Sequence, residues 1–443
     1  MRRQMAVALC LSLALSPLAA AYPKDGYETT GIRRLLALEL GLEGEVRYPR
    51  QPKGALLTLA EVDLRLLDRK DLVPPAPDPE LTREVVGILG RDADRYGVAV
   101  LDLTDPEHPR YAEHRGGYTQ NVGSVGKLVA ALGLFQALAD AWPDVEKRKA
   151  VLRETVVTAD GFSQSDHHTV RFFDPETKTL TRRTIRVGDE ASLYEYLDWM
   201  LSPSSNSAAG MVMREAMLLR RFGKEYPLPE ERIKAFFADT PKPELTALFG
   251  DTFVEPLTRN GLDVDLLRQG SVFTHTGKGI VPGVGNSYGS ARELTRYALL
   301  LEQGRLVDEF SSREIKRLIY VTERRIRYAA SPALGPSAVY FKSGSLYKCK
   351  EEEGFECKPY AGNVHNYMNS VAIIEHPAGE RRLYYVVTIV SNVLRRNSAG
   401  AHLEIATRLQ KLIESTHAAP AAAGNGAGLD AVPAARHQEE EES

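Results

Sequence analysis

The stretch NVGSVGKLVAALGLFQAL, residues 121–138, sets a Gly-rich turn and a lysine directly before an apolar helical run. Two different machines begin this way. A phosphate-binding loop needs a glycine five residues before its Gly-Lys pair and a hydroxyl after it, to present backbone N–H groups and to hold Mg²⁺. Those two positions are Asn121 and Leu128. The other reading takes Ser124 as a nucleophile and Lys127, one helical turn on, as its partner on the same face. The rest of the chain decides between them.

Its 443 residues allow a large core and two or three domains. A net charge of -3 gives no overall basic surface for nucleic acid and no polybasic membrane patch. Residues 1–21, MRRQMAVALCLSLALSPLAAA, carry Arg2 and Arg3, an apolar stretch and small closing residues, which reads as a signal peptide cut after Ala21. A membrane anchor needs roughly 20 apolar residues, and Pro17 interrupts this run early. Cys10 follows Leu9 too deep in the stretch for lipid attachment, and no later segment reads as long and apolar enough to span a bilayer. The expected location is periplasmic or secreted. Export leaves Cys349 and Cys357, an even pair for an oxidising compartment, and a local disulfide is the favoured reading. A metal site is not expected, since two thiols need two further ligands and no histidine follows at finger-like spacing. DHH at 166–168 reads as a solvated polar loop.

Residues 22–78 form an N-terminal extension and a Pro-rich linker, marked by VPPAPDPE at 73–80, and GALLTLAEVDLRLLD within the extension suits a strand or a helix. DPELTREVVGILGRDADRY has helical periodicity with Asp78 as N-cap, and GVAVLDLTDPEHPRYAEH reads as two short strands around an Asp-Pro turn. From 124 to about 320 the pattern is mostly helical: SLYEYLDWML, NSAAGMVMREAMLLRRF, SARELTRYALLLEQG and SSREIKRLIYV space apolar residues by three and four. After 335 the period changes. SAVYFKSGSLY, YMNSVAIIEH and RLYYVVTIVSN are strand-like, and AGAHLEIATRLQKLIEST closes as an amphipathic helix. The tail 417–443 lacks core residues and reads as disordered. The fold class is therefore α/β in the α+β sense: one antiparallel sheet assembled from both chain ends, flanking helices, and an all-helical subdomain between. Clefts form at such junctions.

Three short patterns fall in order along this plan: Ser124-x-x-Lys127 at a helix start, Ser204-Ser205-Asn206 at a loop–helix junction, and Lys342-Ser343-Gly344 in a late strand. Each alone is ordinary, since Ser-x-Asn suits helix caps and Ser-x-x-Lys recurs at Ser345–Lys348. Together, over residues 79–416, they resemble the serine β-lactamases and penicillin-binding proteins, nearest the class A β-lactamase-like branch. SLYEYLDWMLSPSSNSAAGMVM and SARELTRYALLL resemble that family's flanking helices.

The resemblance implies an exported serine hydrolase acting through an acyl-enzyme on Ser124, with β-lactams or peptidoglycan-type peptides as substrates and no cofactor. The alternative is a catalytically impaired scaffold or binding protein that keeps the fold. Ser124 gains from the helix dipole, which favours its alkoxide. Lys127 has to be neutral to act as a base, and burial lowers an ammonium's pKa. Ser204 passes a proton to the leaving nitrogen, and Asn206 positions Lys127 and the substrate amide. Lys342 and Ser343 meet a substrate carboxylate, while Gly344 gives the substrate backbone room along the strand. The N–H groups of Ser124 and Ser345 are the implied oxyanion hole. For deacylation the family uses a glutamate in an E-P-x-L-N pattern, and Glu255 in VEPLTRNG is the nearest match, with one extra residue before Asn260. Ser205 stands where Ser-Asp-Asn has its acid, and Gly126 loosens the helix beside Lys127. Lys278, in HTGKGIVPG, reads as a loop lysine.

Overall fold

Five strands pair antiparallel in the order Ala338–Lys348, His365–His376, Leu383–Asn392, Tyr96–Asp102, Arg110–His114. Both chain ends thus build one sheet, as the sequence pattern predicts. The register aligns Val98 with Ile389 and Ser343 with Ser370. The computed structural model describes residues 23–320 and 325–418, so the expected leader at 1–21 and the tail beyond 418 lie outside the described residues.

Alternation along the strands gives the sheet two buried faces. On one, Val98, Val100 and Ile374 pack against Leu81 and Val85 of the helix Pro79–Leu89 and against Ile405, Leu409 and Ile413 of the helix Ser398–Thr416. On the other, Ala99, Leu101 and Ile373 share a core with the helical part, including Leu128 and Leu132. Asp78 caps the first of these helices, accepting from the N–H groups of Glu80 and Leu81.

The helix Lys127–Ala141 runs through this second core with nearly every residue buried. Contrary to the sequence expectation, Gly123–Ala141 is long and apolar enough to cross a membrane, but most of it is covered by protein. It is apolar on all sides because it has neighbours on all sides.

Residues 53–66 are neither strand nor helix beyond a short 3₁₀ turn at Lys53–Ala55. Outside partners hold their backbone instead: Leu57 N–H donates to the Tyr320 hydroxyl (3.1 Å) and Leu66 N–H to the Glu302 carbonyl (3.1 Å). Ile32, Leu35, Val62 and Leu66 enter the same core as the Ser124 helix. Charge pairs add to this attachment. Arg34 meets Asp198 at 2.5 Å with both side chains buried, and Arg33 meets Glu195 at 2.9 Å. Arg65 forks onto Glu375, which also takes Lys316 at 2.8 Å, while Lys316 lies 2.7 Å from Glu302.

Candidate active site

Ser124 lies on a 3₁₀ turn, Gly123–Gly126, that leads straight into the helix Lys127–Ala141. The strand Ala338–Lys348 crosses directly over this turn. A Cβ on Gly344 would stand 2.0 Å from the Val122 carbonyl oxygen and 2.7 Å from the Ser124 nitrogen. Gly344 therefore makes room for the backbone of the turn that carries Ser124. Gly126 does the same on another side, where a Cβ would meet Gln269 Oε1 at 2.0 Å and the Phe273 ring at 3.5 Å.

Lys127 is fully buried, and its Nζ gathers the first two motifs. It donates to Ser124 Oγ (3.1 Å), Asn206 Oδ1 (2.8 Å) and the Ser204 carbonyl (2.6 Å), with Ser204 Oγ at 3.4 Å. Presenting that carbonyl puts Ser204 in the left-handed region, φ 66°, a strained conformation for a non-glycine residue. Burial pushes Lys127 from 10.5 down to about 7, against the opposing pull of the Asp166 carboxylate.

Lys342 brings in the third motif, donating from Nζ to Ser204 Oγ at 2.7 Å. Burial, with the positive charges of Lys127 and Arg327 nearby, pushes it well below its ordinary value. Arg327, the last arginine of ERRIRY and the first residue of the 3₁₀ turn Arg327–Ala330, carries no sequence motif. Its two Nη atoms donate to Ser343 Oγ and Ser345 Oγ, each at 2.8 Å, and its guanidinium stacks 5.1 Å from the Tyr360 ring. Tyr360 follows the disulfide that joins Cys349 to Cys357, so the expected bridge closes a loop beside the site.

Asp166 carries no sequence motif either. The loop at 166–168 is not simply solvated: the Asp166 side chain is buried and accepts from Ser205 Oγ, Asn206 N–H and Ser207 N–H. Burial raises its pKa, but bonds from His168 and the Ser207 N–H win and hold it well below the usual carboxylate range.

Glu255 does not join the site. It opens the short helix Glu255–Arg259 and faces Arg220 and Arg259, each at 3.6 Å, and Arg259 in turn binds Asp140 at 2.7 Å. Asp140 and Arg220 lie near the far ends of the helices that begin at Lys127 and Asn206, about 20 Å along each axis. Asn260 is a structural partner, donating to Gln136 Oε1 (3.1 Å) and the Pro256 carbonyl (2.8 Å). The one-residue mismatch in the motif was the signal. Lys278, expected in a loop, sits exposed in the short helix His275–Ile280.

No family model matches the sequence, and no curated protein matches it. Among solved structures the chain is similar to a mutant of PBP-A in an acyl-enzyme complex with penicillin G, at 13% identity and TM-score 0.49, over 78% of this chain and 100% of that one. It is also similar to a β-lactamase from Sphaerobacter thermophilus (14%, TM-score 0.48, 76% and 97%). A β-lactamase from Chitinophaga pinensis gives 14%, TM-score 0.47, 75% and 98%.

Proposed function

We propose that this chain is an exported serine hydrolase that forms an acyl-enzyme on Ser124, with β-lactams or peptidoglycan-type peptides as substrates and no cofactor. The observation that carries this reading is the buried Nζ of Lys127, shared by Ser124, Ser204 and Asn206. Three motifs from distant parts of the chain converge on it through Lys342 and Ser204.

Lys127, partly neutral near pH 7, lies within general-base reach of Ser124 Oγ and takes its proton as Oγ attacks the acyl carbon. The N–H groups of Ser124 and Ser345 receive the oxyanion, a donor worth about 3 kcal/mol each in comparable sites. Ser204 relays the proton to the leaving nitrogen, the C–N bond breaks, and an ester on Ser124 remains. Lys342, Ser343 and Arg327 present positive charge and hydroxyls to a substrate carboxylate. The negative charge of that carboxylate would in turn favour the protonated form of Lys342, which burial disfavours. With Glu255 remote, hydrolysis of the ester is slow.

Intact-mass labelling with penicillin G tests the reading. The wild type should gain one adduct that maps to Ser124, and Ser124→Ala should gain none while keeping its fold. Absence of any adduct on the wild type would favour the scaffold reading instead.

A further inference from the structure

The turn that carries Ser204, Ser205 and Asn206 has no acid of its own, yet a carboxylate reaches it from a distant loop. The geometry points to Asp166, oriented by His168, as a positioning residue that fixes Asn206 and supplies the negative charge acting on Lys127. This rests on the acyl-enzyme reading above.

The contacts are specific to the two oxygens. Asp166 Oδ2 accepts from Ser205 Oγ (3.0 Å), Asn206 N–H (2.8 Å) and Ser207 N–H (2.9 Å), so it holds the first turn of the helix Asn206–Phe222. Asp166 Oδ1 accepts from the N–H groups of His167 (2.9 Å) and His168 (3.2 Å) and from His168 Nδ1 (2.6 Å). Asn206 then passes the constraint on, because its Oδ1 is 2.8 Å from Lys127 Nζ. A carboxylate at a helix start is favourable for the dipole, and here the same charge opposes the desolvation of Lys127.

The three side chains Asp166, His167 and His168 also bring their ligand atoms within 4.8 Å of one another. A cation has no claim on them, since six donors already occupy the two oxygens and a carboxylate offers about four lone-pair sites. The charged groups coupled to Lys127 are therefore Asp166 from the loop, His168 beside it, and Lys342 from the strand side, with Arg327 acting on Lys342 in turn. Of these only Asp166 favours the charged form.

The test is the pH dependence of acylation by penicillin G in the full chain. Asp166→Asn keeps an acceptor oxygen and loses the charge, so the acid limb of the rate profile should move at least half a pH unit lower. A purely structural cap would not move that midpoint. Asp166→Ala loses the cap as well, and its acylation should fall at least tenfold across the range with the noncovalent affinity for penicillin changed less than threefold. A midpoint unmoved in the Asn variant overturns the proposal, whether or not the Ala variant folds. Failure of the wild type to acylate would instead defeat the acyl-enzyme reading itself, so the two failures are distinguishable.

Discussion

Removing the Lys127 charge should separate two pH effects that have one origin. Burial moves this lysine from 10.5 to about 7, a difference equivalent to ~5 kcal/mol between its charged and neutral forms. Because the native value lies below the unfolded one, the unfolded chain holds an extra proton between about pH 7 and 10.5. Stability from this group therefore rises with pH across that window and is lowest below pH 7. Lys127→Met has no such proton, so as pH falls from 10 to 6 the wild type should lose about 4 kcal/mol relative to the variant. The absolute ranking at any one pH is less informative, since methionine leaves the Ser204 carbonyl and Asn206 Oδ1 without their donor, at about 1–3 kcal/mol each. Urea melts of both proteins at pH 6, 8 and 10 give the difference directly. In parallel, wild-type acylation measured by stopped-time mass spectrometry should fall about tenfold per pH unit below about 7 and level off above it. A flat rate profile from pH 5.5 to 9, with a stability difference that does not vary with pH, would refute the neutral-base argument.

Gly344→Ala should cut acylation at least a hundredfold, because its Cβ meets backbone at Val122 and Ser124 that cannot yield like a side chain; labelling kinetics check this. Glu255→Gln should leave the adduct lifetime unchanged within twofold, measured by intact mass after drug removal, since its partners are at the far helix ends. Arg34→Met should cost about 3–5 kcal/mol in denaturant melts by stranding buried Asp198. Replacing Cys349 and Cys357 by serine should cost up to about 2.5 kcal/mol by releasing the loop they close.

Much of the fold was legible because strand and helix periods differ and both chain ends carried strand patterns. The three motifs were legible because helix starts and an edge strand fix what their side chains can reach. Asp166 and Arg327 were not, since their partners are 39 and 16 residues or more away and meet only after folding. Gly344 was noticed for its small size, but which backbone it admits is decided by the crossing of two elements. Glu255 failed for a related reason: a short pattern with one residue too many became an ordinary helix start with arginine partners. The segment 53–66 misled because its buried leucines answer to neighbours from 302 to 320 instead of to a local period.

The buried cluster at Lys316 bears on where a shortened protein can begin. A fragment started at Pro79, the first residue of the helix that opens the motif-bearing region, would leave behind Arg65 and both Arg33 and Arg34. Glu302 and Glu375 would then share one ammonium in the interior, and Glu195 and Asp198 would have none of their present cations. Such a fragment would have to take up protons to fold, so it would express poorly at neutral pH and gain from acidic buffer. A fusion partner is better joined ahead of residue 23 than at the proline-rich stretch, however much that stretch looks like a seam.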